Sequence, residues 1–307
     1  MLRSTLLAAA RSPQVRAVVE SGPFDPLVNR FVAGATAADA LATARVLTLD
    51  RLVTLDHLGE DIAERAQADA NVAAYEHILG LLGDAGLADR VEVSVKLSAF
   101  GQSLETDGDK IALEGARRVC AAAAAVGTTV TVDMEDHTTT DRTLETVREL
   151  RVDHPWVGAV VQAHLRRTEA DCRDLAGPGS RVRLCKGAYD EPASVAYRDR
   201  AEVDDSYRRC LRTLFAGSGY PMVATHDPRL VEITRFLAGR GSRTARDYEL
   251  QMLHGVRPAA QKALAAEGET VRVYLPYGTE WFGYFMRRLG ERPANLAFFL
   301  RSLMSRG

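Results

Sequence analysis

Cysteine is scarce in this chain and follows no pattern. The four residues Cys120, Cys172, Cys185 and Cys210 form no CxxC pair, and Cys185 sits inside an apolar, strand-like run. They are expected as reduced thiols of a cytoplasmic protein, which implies neither a disulfide framework nor a thiolate metal site. Metal ligation by histidine is equally unsupported. The seven histidines, at 57, 77, 137, 154, 164, 226 and 254, contain no HxH or HExxH grouping. No run of 18 apolar residues exists, so no transmembrane helix is expected. A dominant charge is missing too. Against 39 basic residues stand 41 acidic ones, a formal net charge of −2, without the electropositive footprint that nucleic-acid binding needs. A small metabolite is the expected partner. No GxGxxG follows a first strand, and GSG at 217–219 lacks the third glycine, which argues against a Rossmann dinucleotide site.

What is present is the composition of a globular protein, 46% hydrophobic and 26% charged. The length of 307 residues accommodates an α/β barrel of about 250 residues as one domain. From about residue 50, short β-branched runs alternate with longer amphipathic segments, the pattern of parallel strands joined by helices. Eight runs stand out, at 51–56, 91–97, 128–134, 157–163, 181–186, 221–225, 247–253 and 271–276. Between them, segments such as 111–126 and 141–152 repeat apolar residues at helical spacing. Eight strands with seven crossovers predict a closed (β/α)₈ barrel over 51–307, preceded by a helical arm over 1–50. The first residues, MLRSTLLAAARSPQVR, resemble a targeting segment faintly and are read as an ordinary first helix of that arm.

A strand buried on both faces reads as a continuous apolar run, so polar residues at strand ends ask for another explanation. In barrels of this class, catalysis is built at the C-terminal strand ends. The polar residues there are Asp56, Lys96, Asp133, Gln162, Arg183 with Lys186, Thr225 with His226, Glu249 with Gln251, and Tyr274.

Lys96 and Asp133 end consecutive strands and can meet at the barrel mouth. They form either a structural ion pair or a pair that controls the protonation of a bound amine. A strand-end lysine also admits Schiff-base chemistry, for which Lys96 and Lys186 are both placed. In RLCKGAY (183–189), Gly187 and Ala188 leave the main chain bare beside Lys186. That is either a plain turn or a cradle for a phosphate group. Near the end of the chain, Thr279 can cap a helix in which Glu280 complements the dipole. Arg287 and Arg288 follow, within pairing distance of Glu291. They are either a surface ion cluster or a two-arginine clamp for a carboxylate.

Taken together, TLDHLGE, SVKLSAFG, VTVDMED, VVQAHLRR, RVRLCKGAY, VATHD, YELQMLHG, VYLPYG and MRRLGERPANL, in that order over roughly 50–305, resemble the proline dehydrogenase family of the monofunctional bacterial kind. The resemblance implies a distorted (β/α)₈ barrel of the TIM type with non-covalent FAD across the strand ends. It also implies oxidation of L-proline to Δ1-pyrroline-5-carboxylate, the first step of proline catabolism to glutamate, with electrons passed to a membrane quinone. By motif, Asp133 and Arg183 match catalytic positions. Lys96, Leu253, Tyr274, Arg287 and Arg288 match substrate-binding ones. For the flavin, Met134, Gln162, Arg183, Lys186, Gly187, Ala188, Thr225 and His226 match family positions. Tyr274 favours proline over hydroxyproline, whose dehydrogenases carry a smaller residue there. Hydroxyproline dehydrogenase and, more distantly, a Schiff-base aldolase are the alternatives. The family's quinone partner implies a cytoplasmic protein with peripheral contact at the inner membrane, where the apolar 295–304 stretch either lies on lipid or packs on the barrel.

Overall fold

The computed structural model describes residues 25–59 and 62–290. Eight parallel strands close into a barrel in strict chain order: β1 Leu52–His57, β2 Val91–Val95, β3 Val130–Val132, β4 Gly158–Gln162, β5 Arg181–Cys185, β6 Tyr220–Ala224, β7 Glu249–Leu253 and β8 Val271–Tyr277. The seam is the β1–β8 pair, in register Leu52↔Arg272 through His57↔Tyr277. Before β1 come α1 (Asp25–Val28) and α2 (Ala37–Leu47). The crossovers carry α3 (Arg65–Asp84), α4 (Gly108–Val126), α5 (Thr140–Asp153), α6 (Thr168–Leu175), α7 (Arg200–Ala216), α8 (Pro228–Arg240) and α9 (Pro258–Ala266), and α10 (Trp281–Gly290) follows β8.

The main apolar core lies between strands and helices. Val53, Leu55, Val93, Val132, Leu184 and Val273, all fully buried, face outward into it. The residues between them face the barrel interior, and that interior is polar. Glu92 of β2 receives Arg181 Nη2 of β5 at 2.7 Å and Thr54 Oγ1 of β1 at 2.8 Å. Arg272 Nε of β8 donates to Glu249 of β7 at 2.7 Å and stands 3.7 Å from Glu92. Burial alone would raise the Glu92 carboxyl, but Arg272, Arg181 and Arg183 overcome it and hold it well below the usual carboxylate range. Charges can be buried this deeply because each has an opposite partner and further hydrogen bonds. Here the structure goes beyond the sequence expectation, which sought polar residues only at strand ends. The period-2 alternation of Val91-Glu-Val-Ser-Val-Lys96 runs one polar face through the whole barrel.

Helix α2 begins with a reciprocal cap. Asp39 N donates to Thr36 Oγ1 at 3.2 Å, and Thr36 N donates to Asp39 Oδ2 at 3.0 Å. Its Ala40, Ala44 and Leu47 enter the main core, where it packs on β8, β1 and α3. The described part of the N-terminal arm is therefore continuous with the barrel. Helix α10 behaves differently. Phe282, Tyr284, Phe285 and Met286 form a second cluster with Val28, Phe31, Val32, Leu58 and Val256. Since Leu58 and Val256 follow β1 and β7, this cluster sits over strand ends rather than against the barrel wall. Arg30 Nε donates to Gly255 O at 3.1 Å. The approach needs glycine: Gly255 has φ +71°, and a Cβ there would fall 1.9 Å from Arg30 O.

Helix α10 starts at Trp281, so Glu280, rather than Thr279, immediately precedes its first turn. Glu291, the expected partner of the two arginines, lies outside the described residues. So do the targeting-like segment and the 295–304 stretch.

Candidate active site

The C-terminal mouth of the barrel is organised around Arg183. Its Nη1 donates to Asp133 Oδ1 at 2.6 Å and to Ser94 Oγ at 2.9 Å, and its Nε donates to Gln251 Oε1 at 2.5 Å. These partners come from β2, β7 and the residue just after β3, so the guanidinium is fixed across the barrel. Charge-assisted hydrogen bonds of this kind are the stronger class. Tyr274 of β8 completes the group: its hydroxyl donates to Asp133 Oδ2 at 2.7 Å, and its ring lies 5.2 Å from the Arg183 guanidinium carbon. Burial, then Asp133 and Asp56, raise the Tyr274 hydroxyl well above its ordinary range, so it remains a proton donor. Lys96 joins from the end of β2. Its ammonium contacts both oxygens of Asp56 at 2.8 Å, Tyr274 Oη at 3.4 Å and Asp133 Oδ2 at 3.6 Å. Lys96 and Asp133 do meet at the mouth, as expected, but the closer partner of the lysine is Asp56.

On the opposite rim, Gln162 Nε2 donates to Glu135 O at 2.6 Å, and Glu135 in turn accepts from Ser98 N at 3.1 Å and Ser98 Oγ at 2.6 Å. The loops after β2, β3 and β4 are thereby tied together. Met134 buries its side chain in the main core. Lys186 is held between Asp204 of α7 and Asp227, the N-cap of α8. Gly187 has φ +109°, and a Cβ there would fall 2.5 Å from the His164 ring. Only glycine lets this strand end pass beneath the imidazole. Ala188 beside it is exposed. Thr225 is buried, and its Oγ1 accepts from Asp227 N at 3.1 Å. His226 Nε2 accepts from Leu253 N at 2.9 Å, and its carbonyl from Arg257 Nη1 at 2.6 Å. Ala224 and Leu253, the inward-facing last residues of β6 and β7, and Tyr274, level with Leu253 in β8, are all partly exposed. The mouth is therefore open on that side.

Arg288 lies over the Tyr284 ring at 5.1 Å. Desolvation raises the Cys185 thiol to about 11, with Arg183 and Arg288 opposing it. Arg288 thus reaches electrostatically from α10 to the end of β5. Arg287, next to it, is half-buried.

The structure gathers Lys96, Asp133, Arg183 and Tyr274 into one hydrogen-bonded group. It places Gln162, Lys186, Gly187, Ala188, Thr225 and His226 along the β4–β6 rim. Ser94, Glu92 and Arg272 were missed by sequence reasoning. Their signal was alternation with valines on β2 and β8.

The model of the proline dehydrogenase family matches residues 40–301. Among curated proteins, the chain is similar to proline dehydrogenase of Deinococcus radiodurans, 39% identical with 99% of this chain and 98% of that one covered. It is also similar to proline dehydrogenase 1 of Bacillus subtilis strain 168, 37% identical with 91% of each chain covered. Proline dehydrogenase 2 of the same strain is 34% identical, covering 90% of this chain and 89% of the other. Among solved structures, proline utilization A (PutA) from Bdellovibrio bacteriovorus, inactivated by N-propargylglycine, superposes with TM-score 0.79 at 24% identity. That match covers 90% of this chain, which spans about a third of that longer protein (33%), and it bears on fold alone.

Proposed function

The chain belongs to the proline dehydrogenase family, and from that premise we propose that it oxidises L-proline to Δ1-pyrroline-5-carboxylate with FAD, passing the electrons to a membrane quinone. The observation that carries the reading is the Asp133–Arg183–Tyr274–Lys96 group at an open barrel mouth. FAD fits the residues present. A flat ring needs room above Arg183, which the partly exposed inward residues of β6 to β8 leave. A pyrophosphate needs a cation and bare main chain, which Lys186, Gly187 and Ala188 supply. Gln162, Thr225 and His226 line the same rim.

Bound FAD supplies the hydride acceptor, flavin N5. The protein supplies position and electrostatics. Arg287 and Arg288 would hold the proline carboxylate bidentately and so aim the Cδ–H bond, which must come within about 3 to 3.5 Å of its acceptor. Lys96 adds positive charge on the same side. Leu253 and Tyr274 wall the ring, and the phenol is immobilised by Asp133 and Arg183. The Arg183 guanidinium, fixed beneath the mouth, offers the positive charge that favours a reduced, anionic flavin. The proline nitrogen must lose its proton as the imine forms, and the Lys96–Asp133 pair at the mouth would shape the protonation of that amine.

The Schiff-base alternative is disfavoured by geometry. Lys96 is paired with Asp56 and Asp133, and Lys186 with Asp204 and Asp227; an ammonium so paired is a poor nucleophile. Hydroxyproline oxidation is disfavoured by the full-sized, doubly held Tyr274. Among the described residues no helix is long and apolar enough to cross a membrane, and the quinone contact we propose is peripheral, made from the cytoplasmic side.

The test is an anaerobic absorption spectrum before and after L-proline is added. A flavin band that bleaches with L-proline, and less readily with hydroxyproline, supports the assignment. A colourless protein that neither takes up FAD nor responds to proline overturns it.

A further inference from the structure

One partner of Arg183 has no share in the chemistry above. Gln251, buried on β7, accepts from Arg183 Nε at 2.5 Å through Oε1 and donates through Nε2 to Glu249 Oε1 at 2.5 Å. The amide can point only one way, because a guanidinium has no acceptor and a carboxylate has no donor. Glu249 is itself anchored by Arg272 Nε at 2.7 Å and by the Tyr220 hydroxyl at 3.3 Å. Arg272 Nη1 donates in turn to Val53 O across the barrel seam at 2.9 Å. A single row of hydrogen bonds therefore climbs from the barrel floor, through Glu249 and Gln251, to Arg183, Asp133 and Tyr274 at the mouth.

We propose that Gln251 is a positioning residue that sets the direction of the Arg183 guanidinium and, being neutral, keeps Glu249 from competing for its charge. This rests on the reading that a flavin lies over Arg183. Asp133 and Ser94 hold Nη1 closely while Glu92 reaches Nη2 only at 3.5 Å, and a planar guanidinium gripped firmly at one nitrogen can still pivot. The Nε contact made by Gln251 removes that freedom, while the row below prevents the amide from turning away.

The test compares the wild-type holoenzyme with Gln251→Met and Gln251→Glu. The methionine fills the same space without hydrogen bonds. It is expected to lower kcat for proline about tenfold with KM within about twofold, and to shift the flavin midpoint potential negative by about a tenfold change in the reduction equilibrium, ~30 mV for two electrons. The glutamate keeps an acceptor toward Arg183 and shares a proton with Glu249, so it is expected to recover most of kcat and of the potential. A lowered melting temperature with unchanged kcat and potential in the methionine variant would mean a structural role only and overturn the proposal. A glutamate variant no better than methionine overturns it as well. A wild-type protein without proline-bleachable flavin defeats the function on which the proposal rests, and is told apart by the wild-type spectrum alone.

Discussion

Both carboxylate oxygens of Asp56 lie 2.8 Å from the Lys96 ammonium, whereas Asp133 Oδ2 stands at 3.6 Å. Asp56 thereby keeps the lysine from collapsing onto Asp133 and leaves that carboxylate to Arg183 and Tyr274. In Asp56→Asn the ammonium loses its charged anchor and is drawn toward Asp133. The expected result is a rise of about tenfold in proline KM, ~1.4 kcal/mol, with flavin content unchanged. Steady-state kinetics beside the flavin-to-protein absorbance ratio would check it, and an unaltered KM would show that Lys96 needs no such anchor.

Arg288 of α10 lies over the Tyr284 ring, and its charge bears on Cys185 at the end of β5. Arg288→Met should raise proline KM about 100-fold, in line with the roughly 1.5–3 kcal/mol of a charged hydrogen bond, while bound flavin is retained. Loss of flavin with KM unchanged would argue against a carboxylate clamp.

Glu92 gathers three arginines in the barrel interior. Glu92→Gln removes the shared anion and leaves Arg181, Arg183 and Arg272 undercompensated in a buried site. Breaking such a network costs about 3–5 kcal/mol. Urea unfolding should show the midpoint falling accordingly, with an unchanged slope; a shift of less than about 1 kcal/mol would mean that the interior is better solvated than its burial indicates.

His254, whose main-chain N–H donates to Tyr274 O at 2.9 Å, is pushed down to about 4 by desolvation and by Arg51. The unfolded chain therefore takes up this proton first as pH falls. The neutral folded form contributes its full stability above about pH 6.5 and loses it progressively toward pH 4, a change of up to about 3 kcal/mol. Melting temperatures at pH 7 and pH 4.5 should differ more in the wild type than in His254→Gln. Equal differences in the two proteins would remove His254 as the cause.

The strand positions were legible because each parallel strand presents a short β-branched run to the helices, and all eight were found within two residues of their ends. The polar lining was not, because the expectation of a continuous apolar strand overlooked Glu92 and Ser94 between valines. Nor could spacing reveal that Arg183 meets Ser94, Asp133 and Gln251. Those partners lie 89, 50 and 68 residues away along the chain, and their meeting depends on strand register and barrel closure, which the motifs do not encode. Most candidate positions were legible as polar strand-end residues and as the Arg287–Arg288 pair, whereas their catalytic and binding roles came from the resemblance. Asp56 was visible as a strand-end carboxylate, but its pairing with Lys96 required the β1–β2 register that sets Asp56 beside Ser94.

The charged interior also bears on how the barrel assembles. Glu92 draws on arginines from β5 and β8, and Arg272 reaches across the last seam to Val53. A chain that has paired seven strands and not the eighth would carry Glu92 and Glu249 without Arg272, in a half-formed cavity already losing its water. In such a state Glu249 lacks its arginine while Glu92 keeps those of β5, so zippering the final strand is the event that brings Arg272 to Glu249 and completes the charge balance of the lumen.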